Sequence, residues 1–218
     1  DELSLRARED GTAVIYLQNV EPNSMADSVI GVNDFEVAQQ YAEILAGLPG
    51  AAGRVAIYPA ESMVSNNLTR VLSETLTDAG WTVEILSRGD SGFDVADTVL
   101  HVLDRTEATL PDAFICLNEN DTVNAVQATV DYNAVGRFAL IGYYLTPEIE
   151  DALSKDLLQA TISIDAEAMG RQAVESYHNL RTVGRTSELE IVDTRIILPP
   201  GRQTLPQPGP VRETEPLS

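Results

Sequence analysis

The chain has 218 residues, 44% of them hydrophobic, which is enough to bury a core in one large domain or two small ones. Its 34 acidic residues outnumber the 14 basic ones and give a net charge of −20. Because such a surface repels phosphate backbones, we expect no nucleic-acid binding by this segment. The single cysteine, Cys116, excludes an internal disulfide. No apolar run approaches the roughly 18 residues of a membrane-spanning helix.

The front of the chain predicts a strand and a helix separated by an irregular stretch. The run "TAVIYL" at 12–17 is the strand, and residues 18–28 follow it without a regular pattern. Asp34 is then a candidate N-cap for an amphipathic helix. The apolar face of that helix is formed by Ala38, Tyr41, Leu45 and Leu48.

From residue 54 onward, short apolar runs alternate with segments that carry apolar residues at helical spacing. Thr146 as N-cap and Pro147 at the first helical position mark one helix start clearly. Strands with nearly continuous apolar cores that alternate with helices predict an α/β fold, a doubly wound parallel sheet covered on both faces. The predicted strands are 54–58, 81–86, 112–117, 138–143 and 158–164.

The back of the chain predicts a helix, a last strand and a tail. The helix at 165–181 aligns Met169, Ala173, Tyr177 and Leu180, and the strand "IVDTRIIL" follows at 191–198. Residues 199–218 are rich in proline and polar residues, so we expect an extended, flexible tail.

Signatures of catalysis are sparse. The sequence contains neither a GxGxxG motif nor a GxxxxGK[ST] phosphate loop, and it has no GxSxG nucleophile elbow. Cys116 lies within a predicted strand, where a cysteine usually acts as a small buried hydrophobe. His101 and His178 both fall in the middle of helices with no cysteine or second histidine nearby, so a zinc site is not expected. We therefore expect no enzyme activity, no metal and no cofactor.

Candidate ligand-binding residues are those that follow the predicted strands, because ligands of open α/β sheets sit outside the carboxyl ends of the strands. The segment "CLNENDTVNA" at 116–125 places Asn118 and Glu119 at such an end, where a helix begins. Short polar side chains there either cap the helix or bond the hydroxyls of a polar ligand, and the pattern leaves both interpretations open.

Several segments together resemble the type 1 periplasmic sugar-binding proteins, whose fold also forms the effector domain of LacI-type repressors. They are "RVAIY", "LTDAGWTVEIL", "LPDAFICLNENDTVNAVQA", "ALIGYYLTPEIEDAL", "LLQATISIDAEAMGRQAVE" and "VDTRIIL". The resemblance implies two α/β lobes that close on a ligand by a hinge motion. It divides the chain into 1–34 (end of the first lobe and first crossing), 35–164 (complete second lobe), 165–190 (helix returning to the first lobe), 191–198 (final crossing strand) and 199–218 (tail).

The resemblance also implies a binding site. Asn118 matches a position where the family keeps a side chain that bonds sugar hydroxyls, and Glu119 stands beside it. The family's G-[FY]-D reads Gly142-Tyr143-Tyr144, so an aromatic replaces a sugar-binding carboxylate and either stacks on a ligand or only packs. The family's helix-borne Arg falls on Leu68. The remaining implied site residues are Gln18, Asn19 and Asp165.

The implied function is that of an extracytoplasmic solute-binding protein that delivers a small, carbohydrate-like ligand to the permease of an ABC-type transporter. The alternative is the effector-binding domain of a LacI-type regulator in the cytoplasm. A third interpretation is an enzyme, or a lobe that has lost ligand binding and serves as an interaction domain.

The resemblance is incomplete at the front, because the family's first lobe normally starts with several βα units before the strand at 12–17. Without them, we expect the helix at 165–181 to expose Met169, Ala173 and Tyr177 unless something covers them. The sequence therefore predicts either a C-terminal fragment of a longer protein or a homo-oligomer formed through the incomplete first lobe.

Overall fold

A computed structural model describes residues 2–18, 25–48, 53–60, 65–88 and 94–201. The helices are α1 (Glu2–Glu9), α2 (Asp34–Ala46), α3 (Ser65–Asp78), α4 (Asp94–Leu103), α5 (Glu119–Asp131), α6 (Pro147–Ser154) and α7 (Ala166–Thr182). The strands are β1 (Ile15–Leu17), β2 (Ser28–Gly31), β3 (Arg54–Tyr58), β4 (Thr82–Ile85), β5 (Ala113–Cys116), β6 (Ala139–Tyr143), β7 (Ala160–Ile164), β8 (Leu189–Ile191) and β9 (Thr194–Ile197).

The larger of two sheets has six strands in the order β4-β3-β5-β6-β7-β9. Its first five strands are parallel, and β9 pairs with β7 in the antiparallel direction. The strand order reverses between β3 and β5, because the chain runs from β3 to one neighbour and then crosses back to the other. The prediction of a doubly wound α/β fold is confirmed.

Alternate residues of the central strands pack into two hydrophobic cores, one on each face of this sheet. On β3, Val55 and Ile57 pack with α2 and α3, whereas Ala56 and Tyr58 pack with α4, α5 and α6. Successive side chains along a strand point to opposite faces of the sheet. All four of these side chains are buried. Helices therefore cover both faces, and this explains why the strands are apolar at nearly every position.

The smaller sheet has three parallel strands in the order β1-β2-β8, and α7 packs against β1 and β2. The chain passes between the sheets three times, after β2, after β7 and between β8 and β9. None of the helices in the described ranges is long and apolar enough to cross a membrane.

Two local predictions are wrong, and one predicted strand is present but shorter than expected. The N-cap of α2 is Asn33, whose Oδ1 accepts hydrogen bonds from the amides of Phe35 and Glu36, and Asp34 is the first helical residue. The single strand at 191–198 is two strands in different sheets, because Val192, buried beside Gly31, ends the pairing with β2 before the pairing with β7 begins. The strand at 12–17 is confined to β1.

The expected exposure of α7 holds only in part. Met169 is buried, because it packs into the core beside the small sheet, and Ala173 is partly buried against the same core. Tyr177 is 52% exposed, and its neighbour Val174 is 70% exposed. Val174 and Tyr177 therefore leave an exposed apolar surface on α7.

Helix α5 approaches the large sheet closely at a glycine. Gly142 lies on β6, and a Cβ built there would stand 2.5 Å from Cγ2 of Thr122 and 3.2 Å from Oγ1 of Thr161. Thr122 is fully buried, and its hydroxyl donates to the carbonyl of Asn118 at 2.6 Å. Only glycine therefore lets the first turn of α5 lie directly on β6.

We expect Gly142→Ala to lower the free energy of unfolding by about 1–3 kcal/mol, because a buried methyl group must displace a β-branched side chain. Gly170→Ala is the matched control, since Gly170 lies in α7 and its added Cβ meets nothing within 4 Å. The control should gain roughly 0.5–1 kcal/mol from helix propensity. Urea unfolding measures both, and an unchanged midpoint for Gly142→Ala would contradict the close packing.

Because α7 exposes apolar side chains, self-association of the chain remains a prediction. We expect the mass measured by light scattering to exceed the 23.6 kDa of one chain, and more so at high salt, which screens the repulsion between chains of charge −20. Val174→Glu with Tyr177→Glu should restore the monomer. Val135→Glu, at an exposed apolar residue outside the small sheet, should not. A monomer at high salt and high concentration would refute self-association.

Candidate functional site

The carboxyl ends of the parallel strands in the large sheet meet at one edge, and the residues that follow them gather there. Pro59 follows β3, Arg88 lies beyond β4, Asn118 follows β5, Tyr144 follows β6 and Asp165 follows β7. The reversal of strand order between β3 and β5 lies in the middle of this edge. Such a reversal opens a crevice between neighbouring loops, which is where open α/β sheets bind ligands.

Asn118 is the N-cap of α5. Its Oδ1 accepts a hydrogen bond from the amide of Asp121 at 2.8 Å, and its Nδ2 donates to Oδ2 of the same residue at 2.5 Å. The capping interpretation is therefore present in the structure. A side-chain amide has two acceptor and two donor positions, so capping does not prevent Asn118 from bonding a ligand, and that role stays a prediction.

Arg88 and Asp121 form an ion pair beside Asn118 that the sequence reasoning missed. Nη1 of Arg88 lies 2.5 Å from Oδ2 of Asp121 and donates to the carbonyl of Pro59 at 2.7 Å. The guanidinium also lies over the ring of Tyr58, 4.7 Å from its centroid. The signal available in the sequence was an arginine just after the predicted strand 81–86 and an aspartate in the first helical turn after the strand 112–117.

Tyr144 and Gln18 connect the two sheets. The hydroxyl of Tyr144 donates a hydrogen bond to Oε1 of Gln18, which follows β1 of the small sheet. Both residues have a positive φ, 70° for Tyr144 and 67° for Gln18. The left-handed backbone of Tyr144 is held by its own amide, which donates to Ile162, and by its carbonyl, which accepts from Thr161. Two predicted site residues are thus brought together in strained conformations, as is common at functional sites.

The tyrosines at this edge are neutral hydrogen-bonding groups at ordinary pH. Burial raises the pKa of Tyr144 to about 12, and the nearby carboxylate of Glu119 adds to the shift. Burial also raises the pKa of Tyr143, whose ring centroid lies 4.4 Å from that of Tyr144, and the pKa of Tyr41. The hydroxyl of Tyr41 donates to the carbonyl of Gly142 at 3.0 Å.

The other predicted site residues have mixed outcomes. Glu119 is exposed in the first turn of α5, close enough to Tyr144 to affect its pKa. Asp165 is exposed and caps α7, where its Oδ1 accepts from the amide of Ala168. Asn19 lies outside the described residues. Leu68 is buried, so the structure brings no cation to the edge at that position.

A cavity of about 370 Å³ lies away from this edge, in the groove between α5 and α6. Its floor is apolar, and it contains no predicted site residue. Cys116 is fully buried, and burial raises the pKa of its thiol, as expected for a packing residue. Across the described ranges, no group of three or more His, Cys, Asp or Glu residues could hold a metal ion.

Solved sugar-binding proteins share this fold. GanP, a glucose-galactose binding protein from Geobacillus stearothermophilus, is 16% identical with a TM-score of 0.74, over 93% of this chain and 73% of GanP. AraP, an arabinose binding protein from the same species, is 16% identical with a TM-score of 0.74, over 90% and 71%. A periplasmic ribose ABC transporter protein from Conexibacter woesei is 18% identical with a TM-score of 0.75, over 88% and 66%.

No curated protein matches the sequence significantly. A family profile described as "periplasmic binding protein domain" matches residues 5–185, which is most of the chain. The order of strands, the edge between two sheets and the sequence motifs all agree with that match. The chain therefore belongs to the periplasmic binding protein family.

Proposed function

We propose that the chain binds a small, polyhydroxylated ligand, such as a sugar, at the carboxyl edge of the large sheet. The observation that carries this proposal is the hydrogen bond between Tyr144 and Gln18, which joins residues of the two sheets near Glu119. A ligand at this point contacts both sheets at once. Binding there would favour one relative position of the sheets, which is how a hinged binding protein responds to its ligand.

The chemistry of the edge suits a neutral polar ligand. The neutral phenol of Tyr144 and the side-chain amides of Asn118 and Gln18 offer donors and acceptors for hydroxyl groups. The half-buried ring of Tyr144, which packs on the buried ring of Tyr143, offers an apolar surface for the carbon face of a sugar ring, typically worth about 1 kcal/mol. The sugar-binding proteins with this fold support the same ligand class.

The physiological role that we propose is delivery of this ligand, outside the cytoplasm, to the permease of an ABC-type transporter. Family membership and the fold shared with proteins described as transport components support this role. Binding and release without catalysis is part of the proposal. No observation favours the alternative of a transcription regulator, although the regulators share the fold.

The first test is a thermal-shift screen of the chain against pentoses and hexoses, with amino acids and nucleosides as other classes. A ligand at about 100 times its dissociation constant should stabilise the native state by about 2.7 kcal/mol. In a chain of this length, that corresponds to an increase in Tm of roughly 5–10 °C. A shift with amino acids or nucleosides and none with any sugar would overturn the proposed ligand class.

The second test follows the ionisation of the tyrosines. An exposed tyrosine ionises near pH 10, whereas the pKa of Tyr144 is about 12. Between these values the unfolded chain loses protons that the native chain keeps, so the free energy of unfolding should fall as pH rises through this range. Below pH 10 this contribution is fully present.

Ultraviolet absorbance of the phenolate measures this directly. The native chain should show fewer ionised tyrosines at pH 11 than the chain in urea, and Tyr144→Phe should lack the component near pH 12. If all seven tyrosines ionised together near pH 10 in the native chain, the buried, hydrogen-bonded position of Tyr144 would be wrong.

A further inference from the structure

We propose that Arg88 and Asp121 act as one charge-neutral binding element that contacts the ligand and favours neutral sugars over anionic ones. The inference rests on the proposed function, because it concerns the same edge of the large sheet. Arg88 is the residue that binds, and Asp121 is the residue that positions Arg88 and neutralises it.

The pair lies at the reversal of strand order in the large sheet. Arg88 lies beyond β4, Pro59 follows β3, and Asp121 stands in the first turn after β5. The hydrogen bonds of Arg88 to Pro59 and Asp121 therefore bridge the loops on both sides of the strand reversal. The reversal is the place in an open α/β sheet where neighbouring loops diverge and a ligand enters.

The side chains of the pair are held in place by several neighbours. The guanidinium is held by the carboxylate of Asp121 at 2.5 Å, by the carbonyl of Pro59 at 2.7 Å and by the ring of Tyr58, which is itself fully buried. Asp121 is held in turn by Nδ2 of Asn118 at 2.5 Å. The site is thus built before a ligand arrives, which reduces the entropy lost on binding.

Part of the pair is accessible from solvent. The side chain of Arg88 keeps 19% of its surface exposed, and that of Asp121 keeps 9%. The exposed part of the Arg88 guanidinium is therefore accessible to a ligand at this edge, although most of the pair is shielded from water. Other arginines of the chain pair on the open surface, as Arg70 does with Glu74.

The charges of the pair suit hydroxyl groups better than a carboxylate. A guanidinium donates hydrogen bonds and a carboxylate accepts them, so the pair is complementary to hydroxyl groups, each of which can accept from one and donate to the other. A carboxylate ligand would have to compete with Asp121 for Arg88, and the exposed carboxylate of Glu119 lies in the same turn of α5. The pair therefore favours an uncharged ligand.

The experiment is calorimetric titration of the full chain with D-glucose, D-galactose, L-arabinose and D-ribose, and with D-glucuronate and D-galacturonate as the anionic probes. We expect the unaltered chain to bind its best neutral sugar at least tenfold more tightly than either uronate. Arg88→Gln should lower the affinity for that sugar at least tenfold. Asp121→Asn, which leaves the charge of Arg88 unopposed, should narrow or reverse the preference over the uronates.

Arg88→Lys is the second variant, because it keeps the charge and the fold while losing the planar fork of donors. It should weaken neutral-sugar binding and keep the preference over uronates. The matched control is Arg105→Gln, which breaks the similar pair of Arg105 with Glu84 at 2.6 Å, outside the carboxyl edge. The control should lower Tm without changing either affinity.

The outcomes separate the two proposals. If the unaltered chain binds neither the sugars nor the uronates, the proposed function fails and this inference fails with it. If it binds a sugar and both Arg88 variants keep that affinity, or Asp121→Asn keeps the original ratio of affinities, the function stands and the role of the pair is overturned.

Discussion

The contact between Gly142 and Thr122 is the constraint on which the geometry of the site depends. Because β6 lacks a Cβ at this point, the first turn of α5 lies directly on the strand. Thr122 then bonds the carbonyl of Asn118, and the cap of α5 is placed at the carboxyl edge. The polar cap of α5 is thus placed at the edge by the packing of a glycine against a buried threonine.

Two sets of polar contacts lie on either side of this glycine–threonine contact. On one side, Asn118 holds Asp121, and Asp121 holds Arg88 against the loops after β3 and β4. On the other side, Tyr144 follows Gly142 by two residues and reaches Gln18 in the small sheet. The first connection organises the charge at the strand reversal, and the second couples the two sheets. Ligand binding and relative movement of the sheets would therefore use adjacent residues of one edge.

Much of the fold was predictable from local signals. Apolar runs located the strands of the large sheet, and Thr146 with Pro147 located the start of α6, because capping and strand propensity act over a few residues. The small sheet was less predictable. Its strands have only three or four residues, and the last crossing is shared between two sheets, so the run at 191–198 gave no sign of its division. The burial of Met169 likewise depends on which side of α7 faces the small sheet.

The sequence by itself determined the α/β class, the residues at the carboxyl edge and the resemblance to periplasmic binding proteins, since periodicity and motif order are properties of the chain alone. Only the tertiary structure decided which of those residues meet. Arg88 and Asp121 are 33 residues apart, and Gln18 and Tyr144 are 126 residues apart. Contacts of this kind arise from the order in which strands pair and from the close approach at Gly142, and neither is encoded in the spacing of the residues that they join.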